Sequence, residues 1–576
     1  PHVGRTAGAC FKHMSTSIDD EELRSHLGEC LGDCCKLLGW EICMVEAGKY
    51  FQHACNDVAT VDAVRAALHC LVYVVRAGGA YRVVRETAVV PAVLQMLPGL
   101  FDGHAGVKYV GIDLVGECAE WINAHPFSLN QLFPYVVGGL QEPETASMSA
   151  TVLCTLCRVC ADSMPPTVLT VYDSASIGHL SHNDKQKIVE GMSSVVSRLP
   201  FQDAQAGLQR LLEPMAEVLL KLLGASEGGD TRTAMCEALD RMVSVFRYAK
   251  LRVKLPAEAI HPAIVLMDYV WPLFEQIIVR CNSNEWVMEK VARVYKHVIR
   301  NAGPHFLPLL DKLLVQLIEV IETYPISSFV YTCSVCVSEF GSPDNEVAVR
   351  TRLLSAYAQI TNSMCTHIKD AHAFNSSPAL VEDYFHLSCR LGNKAGDLLL
   401  SPAHESSLTT ALQIGLLGLK MDHPAVWPTV AAFFETIFRI RRPEEWRRRV
   451  IDLYKAYGLT MMKTLLWALA GGVDRRFVDD DDDSNACVGS LLYLLVELEP
   501  TLSRAMLAQC AEDPAIVPGL SSPEAFNEFS TKIFNAADKA EFYRQVFRFH
   551  CSCSDRAARK KRAATKAMFE SGNNTM

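Results

Sequence analysis

The chain has 576 residues, of which 49% are hydrophobic and 21% are charged, and its formal net charge is −10. This apolar content excludes an intrinsically disordered chain, and the acidic balance counts against a protein that binds nucleic acid non-specifically. Length alone suggests about four ordinary domains, but the repeating pattern described below overrides that number. Because the first residue is Pro rather than Met, we expect a fragment of a longer chain.

The 21 Cys residues lie mostly among apolar residues in helical patterns. A Cys in that setting behaves as a small buried hydrophobe, which is typical of a reducing compartment. No signal peptide is recognisable at the start, and no run reaches the roughly 18 uninterrupted apolar residues that a membrane span needs. We therefore expect a soluble, intracellular protein without membrane contacts.

Amphipathic helical segments follow one another along the chain, separated by short breaks at Pro, Gly or polar residues, and strand-like alternation is nearly absent. The predicted helices are 18–37, 39–57, 60–77, 82–99, 105–124, 128–141, 144–163, 183–199, 203–224, 230–249, 261–281, 285–302, 305–323, 325–340, 344–370, 378–394, 405–420, 423–440, 444–470, 485–511, 523–536 and 539–550.

Paired helices that recur at roughly 40–47 residues are typical of HEAT-type repeats. Each pair buries its apolar face by stacking on its neighbours. We therefore predict an all-α fold, an α-solenoid of HEAT-type helical repeats forming a superhelix, over residues 15–550. Residues 1–14 are expected to be an N-terminal extension, 471–484 an acidic loop that carries Asp479–Asp483, and 551–576 a disordered basic tail.

The stretch 284–301, NEWVMEKVARVYKHVIRN, has a strongly two-sided helical pattern. Apolar residues fill one arc of the helical wheel, and a row of cations fills the other: Lys290, Arg293, Lys296 and Arg300. Glu289 is the only acid on the cationic side. A solvated surface is the ordinary explanation of such a face. However, like charges three and four residues apart repel, and an extended acidic or phosphorylated ligand would neutralise them. These four cations are the candidate binding site.

The matches to catalytic and metal-binding motifs lie in segments whose predicted secondary structure does not suit those motifs. Cys154, Cys157 and Cys160 have CxxC spacing inside a predicted helix, without the second CxxC of a zinc module. The G-x-S-x-G match at 224–228 follows a Leu-rich helix, whereas a nucleophile elbow follows a strand. No P-loop or dinucleotide fingerprint occurs. We predict that the protein is not an enzyme and holds neither a metal nor a cofactor.

Two further basic clusters lie at 439–449 and 559–562. We interpret both as solvated charge, and a short localisation signal remains an alternative for the second cluster.

Several segments resemble transportin-SR, in the branch of the importin-beta superfamily that includes the Mtr10-type nuclear import receptors. The similar segments, with the family's own pattern after each, are 106–121 (Y-x-x-I-E-L-V-G-E), 157–162 (SVCRDH), 381–387 (VDDLFRL) and 419–423 (TTLDHRD). The resemblance extends from about residue 15 to about residue 550, and it implies the cargo-binding, C-terminal half of a karyopherin.

The resemblance also covers the basic stretch. The family's arginine-rich cargo-binding helix reads like VERCCRCLRFAVR, and its four basic positions fall on Lys290, Arg293, Lys296 and Arg300. It implies binding of arginine/serine-rich (RS) domains of splicing factors, often phosphorylated, with release by RanGTP. It further implies that Ran is bound mainly through N-terminal repeats outside this chain, that nucleoporins are partners, and that the protein shuttles between cytoplasm and nucleus. Two of the positions hold Lys, which cannot form the bidentate fork that Arg offers a phosphate.

Two other functions remain open at this point. The chain could be an export receptor or another HEAT-repeat scaffold for protein complexes. Direct RNA binding by the basic helix is a further alternative, although the overall acidity and the lack of aromatic residues beyond Trp286 beside the cations count against it.

Overall fold

The computed structural model of the protein describes residues 13, 20–58, 60–79, 88–100, 104–173, 177–226, 228–252, 255, 259–368, 371–421, 423–473, 488–517 and 521–554. Within these ranges every regular element is helical, which confirms the predicted all-α class. Most of the expected N-terminal extension, the Asp479–Asp483 run and the basic tail beyond residue 554 lie outside the described residues.

The chain divides into two compact units. Unit 1 comprises residues 1–280 and 300–305, and unit 2 comprises 281–299 and 306–576. The helices that begin in unit 1 are α1 Glu21–Leu38, α2 Trp40–His53, α3 Val61–Gly78, α4 Val89–Met96, α5 Ala105–Glu117, α6 Ala119–Ala124, α7 Leu129–Gly138, α8 Ala146–Val159, α9 Thr170–Asp173, α10 His182–Val196, α11 Phe201–Gly224, α12 Gly229–Tyr248 and α13 Pro262–Cys281.

The helices that begin in unit 2 are α14 Glu285–Ala302, α15 Leu307–Thr323, α16 Ser327–Phe340, α17 Val347–His367, α18 Ala371–Ser376, α19 Pro378–Leu399, α20 Glu405–Gly418, α21 Val426–Phe438, α22 Glu444–Trp467, α23 Val488–Leu498, α24 Pro500–Glu512, α25 Pro523–Phe534 and α26 539–554.

Most predicted helices are present, and the differences have local causes. The predicted helix 105–124 is two helices, because Cys118 leaves helical geometry between α5 and α6. The predicted helix 485–511 is also two helices, because Pro500 lacks the N–H that would continue α23 and instead begins α24. The short helices α9 and α18 were not predicted.

Unit 1 is built in layers. Helices α1, α3, α5, α8, α10 and α12 contact one another in succession, while α2 packs on α3 and α11 packs on α12. Unit 2 repeats this plan: α16, α19, α21 and α23 form one row, and α15, α17, α20, α22 and α24 form the row behind it. Since each helix pair contacts mainly the next pair, each unit is assembled as HEAT-type repeats are, in agreement with the predicted solenoid.

Aromatic residues fill the space between the two rows of unit 2. Tyr357 on α17 and Tyr384 on α19 are fully buried, with parallel rings whose centroids are 6.1 Å apart. Their hydroxyl groups are satisfied, because Tyr384 donates to Thr361 at 3.1 Å and the Tyr357 hydroxyl lies 3.0 Å from that of Ser388. Buried aromatic side chains with satisfied hydroxyls fix the packing of a core. The row that carries α16 and α19 is therefore held firmly from behind.

Helix α13 is long and apolar enough to cross a membrane by length and composition, but 61% of its most hydrophobic window is buried within the protein. Trp271 and Phe274 on this helix are fully buried. Burial of this kind is typical of a core helix.

Candidate functional site

The basic helix forms as the sequence predicts. Asn284 caps the N-terminus of α14. Its side-chain oxygen accepts a hydrogen bond from the backbone N–H of Val287 at 3.1 Å, and its backbone carbonyl accepts one from the N–H of Met288 at 3.0 Å. The apolar arc is buried throughout, with no member more than 3% exposed: Val287, Met288, Val291, Ala292, Val294, Tyr295, Val298 and Ile299. Burial of this arc leaves the cationic arc on the outer side of the helix.

The predicted cations differ in their surroundings. Arg293 forms an ion pair with Glu289, with Nη2 2.5 Å from Oε1, and both side chains are about half exposed. Lys296 lies over the ring of Tyr331, with Nζ 5.1 Å from the ring centroid. Lys290 is half-buried, and Arg300 is exposed and belongs to unit 1. The structure therefore brings Arg293 and Lys296 together in unit 2.

The ring of Tyr331 on α16 is approached by two cations. The guanidinium carbon of Arg390, from α19, is 5.3 Å from the same ring centroid that Lys296 approaches. Arg390 also donates a hydrogen bond of 2.5 Å to the Ser334 hydroxyl. An aromatic face attracts a cation within about 6 Å. We call Lys296, Tyr331 and Arg390 the cation–ring stack, in which one ring contacts two long charged side chains.

A cleft of about 290 Å³ opens beside the stack, and α14, α16 and α19 all contribute to it. Arg293 and Lys296 line it from α14, Ser327 and Tyr331 from α16, and Asp383 from α19. Burial and the neighbouring Glu382 raise the pKa of Asp383 to about 7, against a hydrogen bond from Ser327 and the charge of Arg390, which lower it. The cleft thus carries both signs of charge.

Sequence reasoning missed Tyr331, Arg390 and Asp383. Asp383 lies within the segment 381–387 that resembles the transport-receptor family, but that resemblance gave it no role. Tyr331 and Arg390 are far from α14 in the sequence and approach it only because α14, α16 and α19 share one side of unit 2. The period of a single helix could not have shown them.

The arrangement suits non-covalent binding. Guanidinium and ammonium groups at a half-open cleft donate several charge-assisted hydrogen bonds to a phosphate or carboxylate. The hydroxyl groups that line the cleft belong to Ser327, Ser328, Tyr331 and Thr332, and the Ser327 hydroxyl is already engaged with Asp383.

The structure gives the Cys residues with CxxC spacing and the basic cluster at 439–449 ordinary structural surroundings. Cys154 and Cys157 are buried along α8, and burial raises the pKa of Cys154 to about 11. Among the described residues no group of His, Cys, Asp and Glu could hold a metal ion. In the cluster 439–449, Arg439 is paired with Glu435 at 2.6 Å, Arg441 with Glu497 at 2.8 Å and Arg449 with Glu405 at 2.6 Å.

Two segments of the chain match family models. Residues 86–172 match the Transportin-3/Importin-13 third TPR domain, and residues 261–367 match the fourth. The second match contains α14 and Tyr331, whereas Asp383 and Arg390 lie beyond it.

Curated relatives agree with these models. The chain is 20% identical to human (Homo sapiens) importin-13 over 469 residues, which are 78% of this chain and 47% of that protein. It is 23% identical to transportin MOS14 of Arabidopsis thaliana over 478 residues, 79% of this chain and 46% of that protein. The chain therefore spans about half the length of the curated relatives it matches.

Solved structures show the same fold. A structure of importin-13 in its cytosolic state superposes with a TM-score of 0.77 at 14% identity, covering 92% of this chain and 59% of that one. A structure of importin beta superposes with a TM-score of 0.51 at 12% identity, covering 92% and 62%. The matched relatives are an importin and a transportin by name. The chain is thus similar in sequence to importin-13 and transportin MOS14 over about half of their length, and similar in fold to importin-13 and importin beta.

Proposed function

We propose that the protein is a nuclear import receptor that binds phosphorylated, arginine/serine-rich cargo at the cleft beside α14 and releases the cargo when RanGTP binds. The observation that carries the proposal is that Arg293 and Lys296 line one cleft, with Arg390 held beside it against the ring of Tyr331. The chain is also similar to importin-13 and transportin MOS14. In this role the protein shuttles between cytoplasm and nucleus and contacts nucleoporins on the way.

The chemistry of the cations supports a phosphorylated ligand. Arg293 presents a planar fork that matches two phosphate oxygens, whereas Lys290 and Lys296 act as point charges. The pair between Arg293 and Glu289 is half exposed, and such pairs contribute only about 0.3–0.5 kcal/mol. A phosphate with a charge near −2 therefore competes well for Arg293. The surface is suited to a run of anionic side chains rather than to one small ligand.

Cargo binding is tested with a fluorescent RS peptide, phosphorylated or not, by anisotropy. In the test variant Lys290, Arg293, Lys296 and Arg300 are all changed to Glu. The matched control reverses four exposed lysines elsewhere, Lys36, Lys49, Lys221 and Lys455, so that the total charge change is equal.

We expect the Kd of the test variant for the phosphopeptide to be at least about tenfold higher than that of the unaltered protein, and the Kd of the control to change far less. Binding to the unaltered protein should weaken as salt is added. Equal affinities in the test variant and the unaltered protein would refute the site.

RanGTP-dependent release is tested separately. Addition of Ran loaded with a non-hydrolysable GTP analogue to the full-length receptor should displace the phosphopeptide, and Ran loaded with GDP should not. Retention of the peptide in both conditions would favour a general HEAT-repeat scaffold, whereas tighter binding with the GTP form would favour an export receptor.

A further inference from the structure

Asp383 occupies an unusual position in the proposed site. It projects from α19 into the cleft that Arg293 and Lys296 line from α14, and its carboxylate accepts a hydrogen bond from Ser327 on α16. An anionic peptide that contacts the two cations therefore lies close to a carboxylate in the wall of the same cleft. Like charges at such a distance oppose binding, and partial burial strengthens the effect because water screens it less.

The charged groups around Asp383 come from three helices. Helix α14 contributes Glu289, Arg293 and Lys296, α16 contributes the neutral hydroxyls of Ser327 and Tyr331, and α19 contributes Glu382, His386 and Arg390. With Asp383 ionised, its charge and those of Glu289 and Glu382 balance the three nearby cations. With Asp383 protonated, one positive charge is left over. The state of this one carboxyl thus decides whether the cleft is neutral or cationic.

We propose that Asp383 is a proton-controlled specificity residue, so that the cleft holds an anionic peptide more tightly when this carboxyl is protonated than when it is charged. The inference deepens the proposed function and rests on it. Burial beside Glu382 supports it, because both raise the pKa of Asp383 to about 7 and so allow the carboxyl to change state near neutral pH.

The sign of the effect follows directly. Below about pH 6 Asp383 is mostly protonated and does not oppose an anion, and above about pH 8 it is mostly ionised and does. Peptide phosphates also titrate near this range, but they do so in both proteins. The ratio of the dissociation constants of the unaltered protein and the Asp383→Asn variant therefore isolates Asp383.

The experiment measures phospho-RS peptide binding by anisotropy at a series of pH values for the unaltered protein and Asp383→Asn. We expect the ratio of Kd values, unaltered protein over variant, to be near one at about pH 6 and to rise to about five at about pH 8.5. Asp452→Asn is the matched control, because Asp452 is an exposed carboxylate of unit 2 paired with Lys455. Its ratio should stay near one throughout.

A second variant keeps the test decisive if Asp383→Asn fails to fold. Because Glu382 raises the pKa of Asp383, Glu382→Gln should move the midpoint of the pH profile to lower pH relative to the unaltered protein. A Kd ratio for Asp383→Asn that does not change with pH, or an unmoved midpoint for Glu382→Gln, overturns this inference alone. Failure of the unaltered protein to bind the phosphopeptide at any pH overturns the proposed function and this inference with it.

Discussion

A variant of the cation–ring stack tests how the cations are held separately from how many cations there are. Replacing Tyr331 by Leu puts a smaller, non-aromatic side chain on α16 and removes none of the cations. It removes the ring that lies 5.1 Å from the Lys296 ammonium and 5.3 Å from the Arg390 guanidinium. The variant therefore changes how the two cations are held without changing the net charge of the cleft.

The size of the effect follows from the contacts that are lost. A cation over an aromatic face at a half-exposed position is worth about 0.5–1 kcal/mol. Without the ring, both long side chains regain rotamer freedom, and binding must then restrict it at a cost of about 0.5–1.5 kcal/mol for each side chain. Because Arg390 keeps its hydrogen bond to Ser334, we take about 1 kcal/mol as the net loss. This corresponds to a roughly fivefold weaker Kd for the phosphopeptide.

The assay is phosphopeptide anisotropy at several salt concentrations, with Tyr331→Phe as the control that keeps the ring. We expect Tyr331→Leu to weaken binding about fivefold and Tyr331→Phe to weaken it less. The slope of affinity against salt should be the same in both variants, because the number of cations is unchanged. Equal affinities in the Leu and Phe variants would show that the ring does not order the cations.

Three further variants test the fold around the site and in unit 1. Arg280→Ala should destabilise the protein to urea by about 1–3 kcal/mol, because Arg280 donates to the carbonyls of Leu222, Leu223 and Ala225 at the end of α11; Lys221→Ala, at an exposed position of the same helix, is its control. Gly191→Ala should be destabilising, because a Cβ there would lie 2.9 Å from the Cys154 Cα on α8, whereas Gly224→Ala meets open space and should be tolerated. Because the pKa of Asp383 is raised in the folded state, the unaltered protein loses stability as this carboxyl ionises. Asp383→Asn should therefore have the higher free energy of unfolding, by an amount that grows as the pH rises from about 4 to about 7.

The sequence predicts the helices well because their signals are local. The buried arc of α14 recurs with the helical period, and Pro or Gly marks most helix ends, so neither depends on distant residues. The prediction is wrong at residues 485–511 because the apolar pattern continues across Pro500, whereas the proline lacks the N–H that would continue the helix. Cys118 has no such signal, and nothing in its neighbours predicts the break between α5 and α6.

The site was predictable only in part, for a different physical reason. The sequence shows which face of α14 is charged. Tyr331 and Arg390, however, lie between about 30 and 100 residues after Lys296 in the chain, and only the stacking of α14, α16 and α19 brings them close to it. The pKa of Asp383 depends on burial, which a sequence pattern does not report for a residue flanked by another acid. Such a pair would ordinarily be taken as solvated charge.

The ion pair between Arg293 and Glu289 raises the question of how much the cation is already neutralised. The pair joins residues four apart with Glu on the N-terminal side, an arrangement worth about 0.3–0.5 kcal/mol when exposed. A ligand phosphate must displace or share this carboxylate, and Glu289 also repels the ligand directly. Glu289→Gln removes both effects, so we expect the phosphopeptide to bind about two- to fivefold more tightly.

Glu285→Gln is the control for Glu289→Gln, because Glu285 lies in the first turn of the same helix and does not line the cleft. Both variants remove one negative charge from α14, so a gain that depends only on net charge would be equal in the two. A gain confined to Glu289→Gln would show that the phosphate reaches Arg293 itself. Equal gains would mean that the ligand follows the general field of the helix, and weaker binding in Glu289→Gln would mean that the carboxylate positions Arg293 for the ligand instead of competing with it.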